Sequence, residues 1–159
     1  MIKKIYLHWT AGRYGQAFDD YHICIDKDGS LQFMGELGDQ KAHTWMRNSN
    51  AIGIALECAY NARIVNFENG QYVVDFGEYP PTYAQIKSTA LAVAILCKVY
   101  HLDIDKDVLT HAEVATLDGY GVGSGDSETK WDLLLLPNGE AGGEYIRGLV
   151  KQACGEIIC

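Results

Sequence analysis

The sequence is poor in positive charge and has no long apolar segment. Its 159 residues contain 13 Lys and Arg against 21 Asp and Glu, for a net charge of −8. This balance argues against nucleic-acid binding, which requires a basic surface, and it provides no attraction to an anionic membrane. The longest apolar run spans residues 90–97, far short of the ~20 residues that cross a bilayer. We therefore expect no nucleic-acid partner and no membrane insertion.

The sequence also lacks a recognisable export signal. The first residues, Met1-Ile-Lys-Lys, carry charge, but no apolar region of roughly 7–15 residues and no cleavage site follow them. We therefore expect no signal peptide and synthesis in the cytoplasm. Internal repeats and low-complexity tracts are absent as well, and at ~150 residues per domain the length predicts one domain over residues 1–159.

The five cysteines show neither C-x-x-C nor zinc-finger spacing. Cys24, Cys58 and Cys97 lie in apolar runs and are expected to be buried thiols. A disulfide between Cys154 and Cys159 is left open.

Alternating apolar and polar residues predict strands. In residues 2–9, Ile5, Leu7 and Trp9 alternate with polar positions. A hairpin is expected around Lys27-Asp28-Gly29, because Asp-Gly favours the positive φ of a tight turn. The predicted strands cover residues 2–9, 21–26, 30–35, 51–58 and 108–111.

The strand at residues 51–58 has two unequal faces. Ile52, Ile54 and Leu56 face one side, whereas the other side carries mainly Ala and Gly. We expect a helix to pack on the apolar face and an open groove to lie on the small one.

Two helices are predicted in the second half of the chain. Thr82-x-x-Gln85 is a capping box, and the helix it opens runs to about His101. Because its second half is apolar nearly all round, we expect a buried central helix. A last helix covers residues 142–153, after an exposed loop at residues 117–129. Together these elements predict an α/β fold in a single domain, with a central mixed β-sheet flanked by helices.

Two histidines are candidate metal ligands. His8 and His111 each end a short apolar strand and precede a predicted loop, a position where distant parts of a chain converge. A catalytic zinc ion needs three protein ligands and one open position, and Asp132 is the best third candidate. Lys130 lies two residues earlier, so in an extended segment both side chains point the same way. The alternative is that these histidines are purely structural.

At these positions the sequence resembles the zinc-dependent N-acetylmuramoyl-L-alanine amidases of the type-2 amidase family, which share their fold with phage T7 lysozyme and the peptidoglycan recognition proteins. The matching segments follow one another in order and span most of residues 5–132. They are Ile5-Tyr-Leu-His-Trp-Thr-Ala-Gly12, Tyr21-His-Ile-Cys-Ile-Asp-Lys-Asp-Gly29, Ala42-His43, Asn48-Ser-Asn-Ala-Ile-Gly-Ile-Ala-Leu-Glu57, Thr110-His-Ala-Glu-Val-Ala115 and Lys130-Trp-Asp132.

The resemblance implies a role for each matching residue. His8, His111 and Asp132 correspond to the zinc ligands, and Tyr21 and Lys130 to the catalytic tyrosine and lysine. In the substrate groove the resemblance implies His43, and we add Trp45 and Asn50, which lie close to it in sequence. For Trp45 the alternative is a core position, and for Asn48 and Asn50 it is turn formation. His22 is expected to pack and hydrogen-bond, and His101 to sit at a helix C-terminus.

Three departures from the family pattern are visible. The segment between His8 and Tyr21 is too short for the usual helix, and Leu133-Leu134 replaces the usual Pro-Gly after the ligand. The loop also contains Asp118 and Asp126, which are rival oxygen ligands. In addition, the position where some members carry a catalytic glutamate is Ala55 here, and Glu57 is not the matching residue.

The resemblance implies zinc-dependent hydrolysis of the amide bond between N-acetylmuramic acid and L-alanine in peptidoglycan. We expect a monomer with an endolysin-like role, acting on the bacterial cell wall after release. The alternative is a peptidoglycan-binding recognition module without catalysis.

Overall fold

The computed structural model describes residues 1–156. Its elements, in chain order, are β1 (Lys4–Trp9), β2 (Ile23–Ile25), β3 (Leu31–Phe33), β4 (Ala51–Leu56), β5 (Arg63–Glu68), β6 (Gln71–Asp75), α1 (Tyr83–Tyr100), α2 (Ile104–Asp107), β7 (Val108–Thr110), α3 (His111–Leu117) and α4 (Gly142–Glu156).

The central sheet is mixed, as predicted, with the strand order β3-β2-β4-β1-β7. Strand β1 is parallel to both of its neighbours, β4 and β7, and β2 is parallel to β4. Only the edge strand β3 runs antiparallel, paired with β2 through the predicted hairpin. The carboxyl ends of β1, β4 and β7 therefore lie at one edge of the sheet, where side chains that follow them are brought together.

The two faces of the sheet differ in chemistry. Ile5 and Leu7 of β1 contribute to the main apolar core, to which α1 and α4 also contribute. The opposite face carries Tyr6 and His8, which pair in register with Gly53 and Ala55 of β4. The small residues of β4 thus lie directly beside the larger polar side chains of β1, and this face holds the candidate site described below.

Helix α1 begins at the predicted capping box and ends with His101 in the left-handed conformation. The prediction that α1 is a buried central helix is wrong. Leu91, Ile95 and Val99 are 42%, 54% and 60% exposed, because α1 covers only one face of the sheet and its outer side has no neighbour within residues 1–156. Helix α4 agrees with the prediction for residues 142–153.

The sequence analysis missed the β5–β6 hairpin and helices α2 and α3. Asn69-Gly70 joins β5 to β6, and both residues have positive φ, so the signal for a two-residue turn was present. Likewise, Thr110 and Glu113 form a capping box at the start of α3. The same motif that located α1 therefore also marked α3.

Cys24, Cys58 and Cys97 are buried free thiols, as predicted. Cys159, and with it the possible bond to Cys154, lies outside the described residues. None of the helices in residues 1–156 has the length and apolar character needed to cross a membrane.

Candidate metal centre and cleft

His8 lies near the carboxyl end of β1, on the face opposite the main core, and is fully buried. The small face of β4 provides the space for it, yet this face is not the open groove that the sequence suggested. A Cβ atom on Gly53 would lie 2.6 Å from Cγ of His43. The ring of His43 therefore covers β4 at Gly53, and small residues are needed here to accommodate imidazole rings.

His111 does not precede a loop, as the sequence analysis expected, but is the first residue of α3. Thr110 caps this helix and ends β7, so His111 reaches the same sheet edge as His8. Glu113 accepts hydrogen bonds from the backbone N–H of Thr110 and from both terminal nitrogens of Arg147 in α4. The start of α3, and with it His111, is thus anchored to two other elements.

Asp132 is brought to the same place by the segment after the long loop. The backbone N–H of Ala112 donates a hydrogen bond to the carbonyl oxygen of Asp132. The preceding residue, Trp131, packs edge-on against Trp9, with ring centroids 4.8 Å apart. These contacts hold Asp132 beside the first turn of α3. Asp132 is buried there, with only 8% of its surface exposed.

The three side chains converge on one point. Nδ1 of His8 lies 3.0 Å from Nδ1 of His111 and 3.3 Å from Oδ2 of Asp132, and the remaining distance, between His111 and Asp132, is 3.4 Å. Two ligand atoms bound tetrahedrally to zinc are about 3.3–3.5 Å apart. The two distances to Asp132 match this range and the distance between the two histidines is slightly shorter, so these two imidazole nitrogens and one carboxylate oxygen could hold a divalent metal ion such as zinc.

The rival carboxylates lie elsewhere. Asp118 forms a bidentate ion pair with Arg47, and Asp126 is exposed on the rim of the neighbouring depression. Within residues 1–156, Asp132 is the carboxylate that joins His8 and His111 in a metal-sized group.

The protonation states also suit a metal centre. Burial lowers the pKa of His8, and Asp132 opposes this only in part. Burial alone would raise the pKa of Asp132, but its hydrogen bonds with His111 and His8 outweigh that effect and keep the pKa far below its usual value. Near neutral pH His8 therefore offers an unprotonated ring nitrogen and Asp132 an ionised carboxylate, as metal binding requires.

The outer nitrogens of both histidines contact hydroxyl groups. Nε2 of His8 lies 3.2 Å from Oγ1 of Thr44, and Nε2 of His111 lies 3.3 Å from the hydroxyl of Tyr120. Such contacts orient ligand rings in metal sites. The sequence analysis missed both residues, because no local pattern distinguishes them from other threonines and tyrosines.

His43 is only 6% exposed and contacts the same threonine, with its Nδ1 2.8 Å from Oγ1 of Thr44. Its Nε2 makes no well-formed hydrogen bond within residues 1–156. Burial, followed by the nearby His8 and His22, lowers the pKa of His43 to about 3, with the backbone of Ala51 opposing the shift. The ring is therefore neutral at physiological pH.

His22 is the packing residue that the sequence predicted. Its Nδ1 accepts a hydrogen bond from the backbone N–H of Gly53, and its Nε2 donates to the carbonyl oxygen of Asp39. Both ring nitrogens are satisfied, and His22 is fully buried.

A cleft adjoins the metal-ligand group. It consists of two depressions that share Ala42, His43, His111 and Lys130, and the larger has a volume of about 590 Å³. One half contains Tyr21, Lys130, Trp131 and Asp132. Residues that line the other half include His43, Thr44, Trp45, Asn48, Tyr120, Asp126, Glu128 and Lys130.

Tyr21 and Lys130 both border the half of the cleft that contains Asp132. The ring of Tyr21 lies 5.2 Å from that of His8. Burial and then the charge of Asp132 raise the pKa of Tyr21 well above its usual value, so the phenol keeps its proton. The side chain of Lys130 is exposed, which leaves its ammonium group free to approach a bound molecule.

The predicted groove residues are placed differently from one another. Trp45 is 65% exposed in the cleft and packs edge-on against Tyr120. Asn50 is not brought to the cleft. It adopts a positive φ of 55° at the amino end of β4 and borders a separate depression beside Met1. Because β4 is parallel to β1, that end is opposite to the one where His8 lies.

Asn48 supports the cleft wall through turn chemistry. Its Oδ1 accepts hydrogen bonds from the backbone N–H groups of both His43 and Thr44.

Ala55 lies beside His8 in register, whereas Glu57 is buried beyond the end of β4. Strand β4 therefore places an alanine next to His8, and not the carboxylate of Glu57.

Comparisons with known proteins show similarity to one protein family and to several solved structures. Residues 1–130 match the model of the N-acetylmuramoyl-L-alanine amidase family. The matched region includes His8, Tyr21, His43, His111 and Lys130, and it ends two residues before Asp132. No curated protein matches the sequence.

Several solved structures share the fold. A mutant of PlyL superposes with a TM-score of 0.57 at 15% identity, covering 94% of this chain and 85% of that one. The Ph2119 endolysin from a Thermus scotoductus bacteriophage gives 0.53 at 18% identity, over 76% and 78% of the two chains. AmiD from E. coli, in complex with anhydro-N-acetylmuramic acid-L-Ala-D-gamma-Glu-L-Lys, gives 0.51 at 17% identity, over 70% and 48%. These likenesses confirm the expected fold.

Proposed function

The chain belongs to the N-acetylmuramoyl-L-alanine amidase family, and on this premise we propose that it is a zinc-dependent enzyme that cleaves the amide bond between N-acetylmuramic acid and L-alanine in peptidoglycan. Family membership supports peptidoglycan amidase activity at the general level. The observation that carries the finer proposal is the buried group of His8, His111 and Asp132 beside a cleft.

His8, His111 and Asp132 would hold the metal through two ring nitrogens and one carboxylate oxygen. Zinc held there would lower the pKa of a water molecule and would polarise the scissile carbonyl group. Three protein ligands leave one coordination position for solvent or substrate, which is the pattern of catalytic rather than structural zinc sites.

Lys130 and Tyr21 would act on the reacting atoms from the same half of the cleft. The ammonium group of Lys130 provides a positive charge for the oxygen that becomes negative during attack on the amide. The phenol of Tyr21 retains its proton because its pKa is raised. As a neutral phenol it can orient the attacking water, and it can relay a proton from that water to the leaving amine of L-alanine by accepting one proton as it gives up its own.

The other half of the cleft would bind the rest of the substrate. We assign Trp45 to contact a sugar ring or the stem peptide, because a large aromatic side chain that is 65% exposed in a cleft offers an apolar surface for either. His43 borders both halves of the cleft and is assigned to its wall. Asn50 is not part of this proposal, since the structure places it at the other end of β4.

We further propose that residues 1–159 form a single amidase domain that works as a monomer in an endolysin-like role at the bacterial cell wall. Because the protein has a net charge of −8, its overall charge does not attract it to an anionic wall. Substrate binding then depends on contacts within the cleft.

The decisive experiment is digestion of purified peptidoglycan by the zinc-loaded and the chelator-treated protein, followed by mass spectrometry of the products. We expect stem peptides with a free L-alanine amine, formed only by the zinc-loaded form and not by a His111→Ala variant. Reducing sugar ends without that amine would indicate a glycosidase instead. Tight binding to the wall without cleavage would favour a recognition module.

A further inference from the structure

The hydroxyl of Thr44 lies between two imidazole rings. Its Oγ1 is 3.2 Å from Nε2 of His8 and 2.8 Å from Nδ1 of His43. Thr44 is only 1% exposed, and these two rings are the hydrogen-bond partners of its hydroxyl within residues 1–156. Three buried polar groups therefore form one continuous chain that ends at a candidate metal ligand.

The metal site determines which groups donate and which accept in this series of hydrogen bonds. A neutral imidazole carries one proton, and the nitrogen that binds a metal carries none. Since Nδ1 of His8 faces His111 and Asp132, its proton lies on Nε2, which then donates to Oγ1 of Thr44. This step rests on the function proposed above.

The hydroxyl proton of Thr44 determines the second bond. With Oγ1 accepting from His8, the O–H group still needs an acceptor, and Nδ1 of His43 is the one within reach. His43 then carries its own proton on Nε2. Nε2 of His43 makes no well-formed hydrogen bond in either tautomer, but the opposite tautomer would also leave the Thr44 proton without an acceptor, and unsatisfied buried polar groups are costly.

We propose that Thr44 and His43 are positioning residues that fix the ring orientation and tautomer of His8 for metal binding. His43 thus acts on the metal centre through Thr44, in addition to bordering the cleft. In metal sites the outer nitrogen of a ligating histidine commonly faces a carboxylate or a backbone carbonyl. Here a hydroxyl that is itself held by a second histidine takes that place.

The surrounding loop holds Thr44 rigidly enough for this role. Oδ1 of Asn48 accepts a hydrogen bond from the backbone N–H of Thr44, and the backbone N–H of Arg47 donates one to the carbonyl oxygen of Thr44. Arg47 is in turn fixed by its bidentate pair with Asp118. These bonds fix the backbone of Thr44, and the burial of its side chain leaves the hydroxyl little room to change rotamer.

The first test compares zinc affinity, measured by competition with a chelator, in Thr44→Val and Thr44→Ser. Valine keeps the shape of threonine but removes the hydroxyl, and we expect zinc affinity to fall roughly 10–100-fold, the usual effect of losing an outer contact. Serine keeps the hydroxyl and is expected to restore most of the affinity. Thr89→Val is the matched control, since Thr89 is a buried threonine in α1 whose hydroxyl bonds to the carbonyl of Gln85.

The second test reads the tautomers directly by nitrogen NMR of the histidine rings in the zinc-loaded protein. We expect the proton of His43 on Nε2, and a loss of this preference in Thr44→Val. This measurement on the wild type decides the proposal even where the valine variant fails to fold.

A third comparison separates positioning from substrate contact. His43→Phe keeps an aromatic ring over Gly53 but removes the acceptor nitrogen, so zinc affinity is expected to fall with it. A rise in KM with unchanged zinc affinity would overturn the proposal, as would Thr44→Val binding zinc as tightly as wild type or a proton on Nδ1 of His43. A wild-type protein that binds no zinc would instead refute the proposed function.

Discussion

Gly53 of β4 lies directly under the imidazole ring of His43. A Cβ atom at this position would come within 2.6–3.0 Å of three ring atoms. The absence of a side chain at one residue of a central strand therefore determines where a histidine of the neighbouring loop can lie. The same strand accommodates His8 beside Ala55.

Gly53→Ala is expected to displace the ring of His43 and to destabilise the protein by about 1–3 kcal/mol, the usual cost of overpacking a buried position. The free energy of unfolding, obtained by urea denaturation, measures this. Gly38→Ala is the control, because a Cβ there meets no atom within 4 Å. Equal stability of the two variants would contradict the packing described here.

Asp132→Asn is expected to weaken zinc binding by at least roughly 100-fold, more than the 10–100-fold typical of a lost outer contact. The reason is that the amide supplies a neutral oxygen in place of a charged ligand. Chelator competition measures the affinity. Asp126→Asn, which alters an exposed rival carboxylate on the cleft rim, should leave it unchanged. The reverse result would assign the third ligand to the loop.

Tyr21→Phe is expected to lower kcat by about 10²–10⁴-fold, the range for loss of a group that assists proton transfer. Zinc affinity should be retained, because the hydroxyl is not part of the ligand group. The release of L-alanine amines from peptidoglycan measures kcat. Tyr83→Phe, which removes a hydroxyl from an exposed residue of α1, serves as the control.

Lys130→Met is expected to lower kcat by about 10²–10³-fold, since it removes a positive charge that would face the developing oxyanion. The exposed side chain makes little contribution to packing, so the unfolding midpoint should stay close to that of wild type. Lys87→Met on the outer side of α1 should keep full activity. Unchanged kcat in Lys130→Met would remove this residue from the mechanism.

Glu113→Gln is expected to destabilise the zinc-free protein at pH 7 by about 1.5–3 kcal/mol, as hydrogen bonds to charged groups contribute. Burial opposes ionisation of Glu113, yet its bonds with Arg147 and Thr110 keep the pKa below 4.5. A lowered carboxyl pKa stabilises the fold above the unfolded value, and this contribution disappears as the pH falls through the folded pKa.

The wild type should therefore lose stability below about pH 4.5, and Glu113→Gln should lose less over the same range. Urea denaturation at pH 7 and in acid tests both statements, with the exposed Glu140→Gln as the control. An acid dependence that is identical in Glu113→Gln and wild type would show that the Arg147 pair is not responsible for it.

Local chemistry in the sequence was sufficient to locate several elements of the fold. The capping box at Thr82 located the start of α1, and alternation located β1 and β4, because caps and periodicity depend only on neighbouring residues. The Asn69-Gly70 turn and the Thr110 capping box were equally local and were overlooked. The burial of α1 was misjudged, since the number of its faces that meet a partner depends on the layers of the fold and not on its own composition.

What the sequence determined by itself was the set of chemical groups: His8, His111, Asp132, Tyr21 and Lys130 stand in motifs that resemble one enzyme family. Only the tertiary structure decided their partners. Thr44 and Tyr120 reach the outer nitrogens of the histidines, and Asn50 is placed at the far end of β4. These placements depend on how the parallel strands align and on where the loops fold back. Residue type and spacing specify which atoms are available, whereas the packing of distant segments specifies which of them meet.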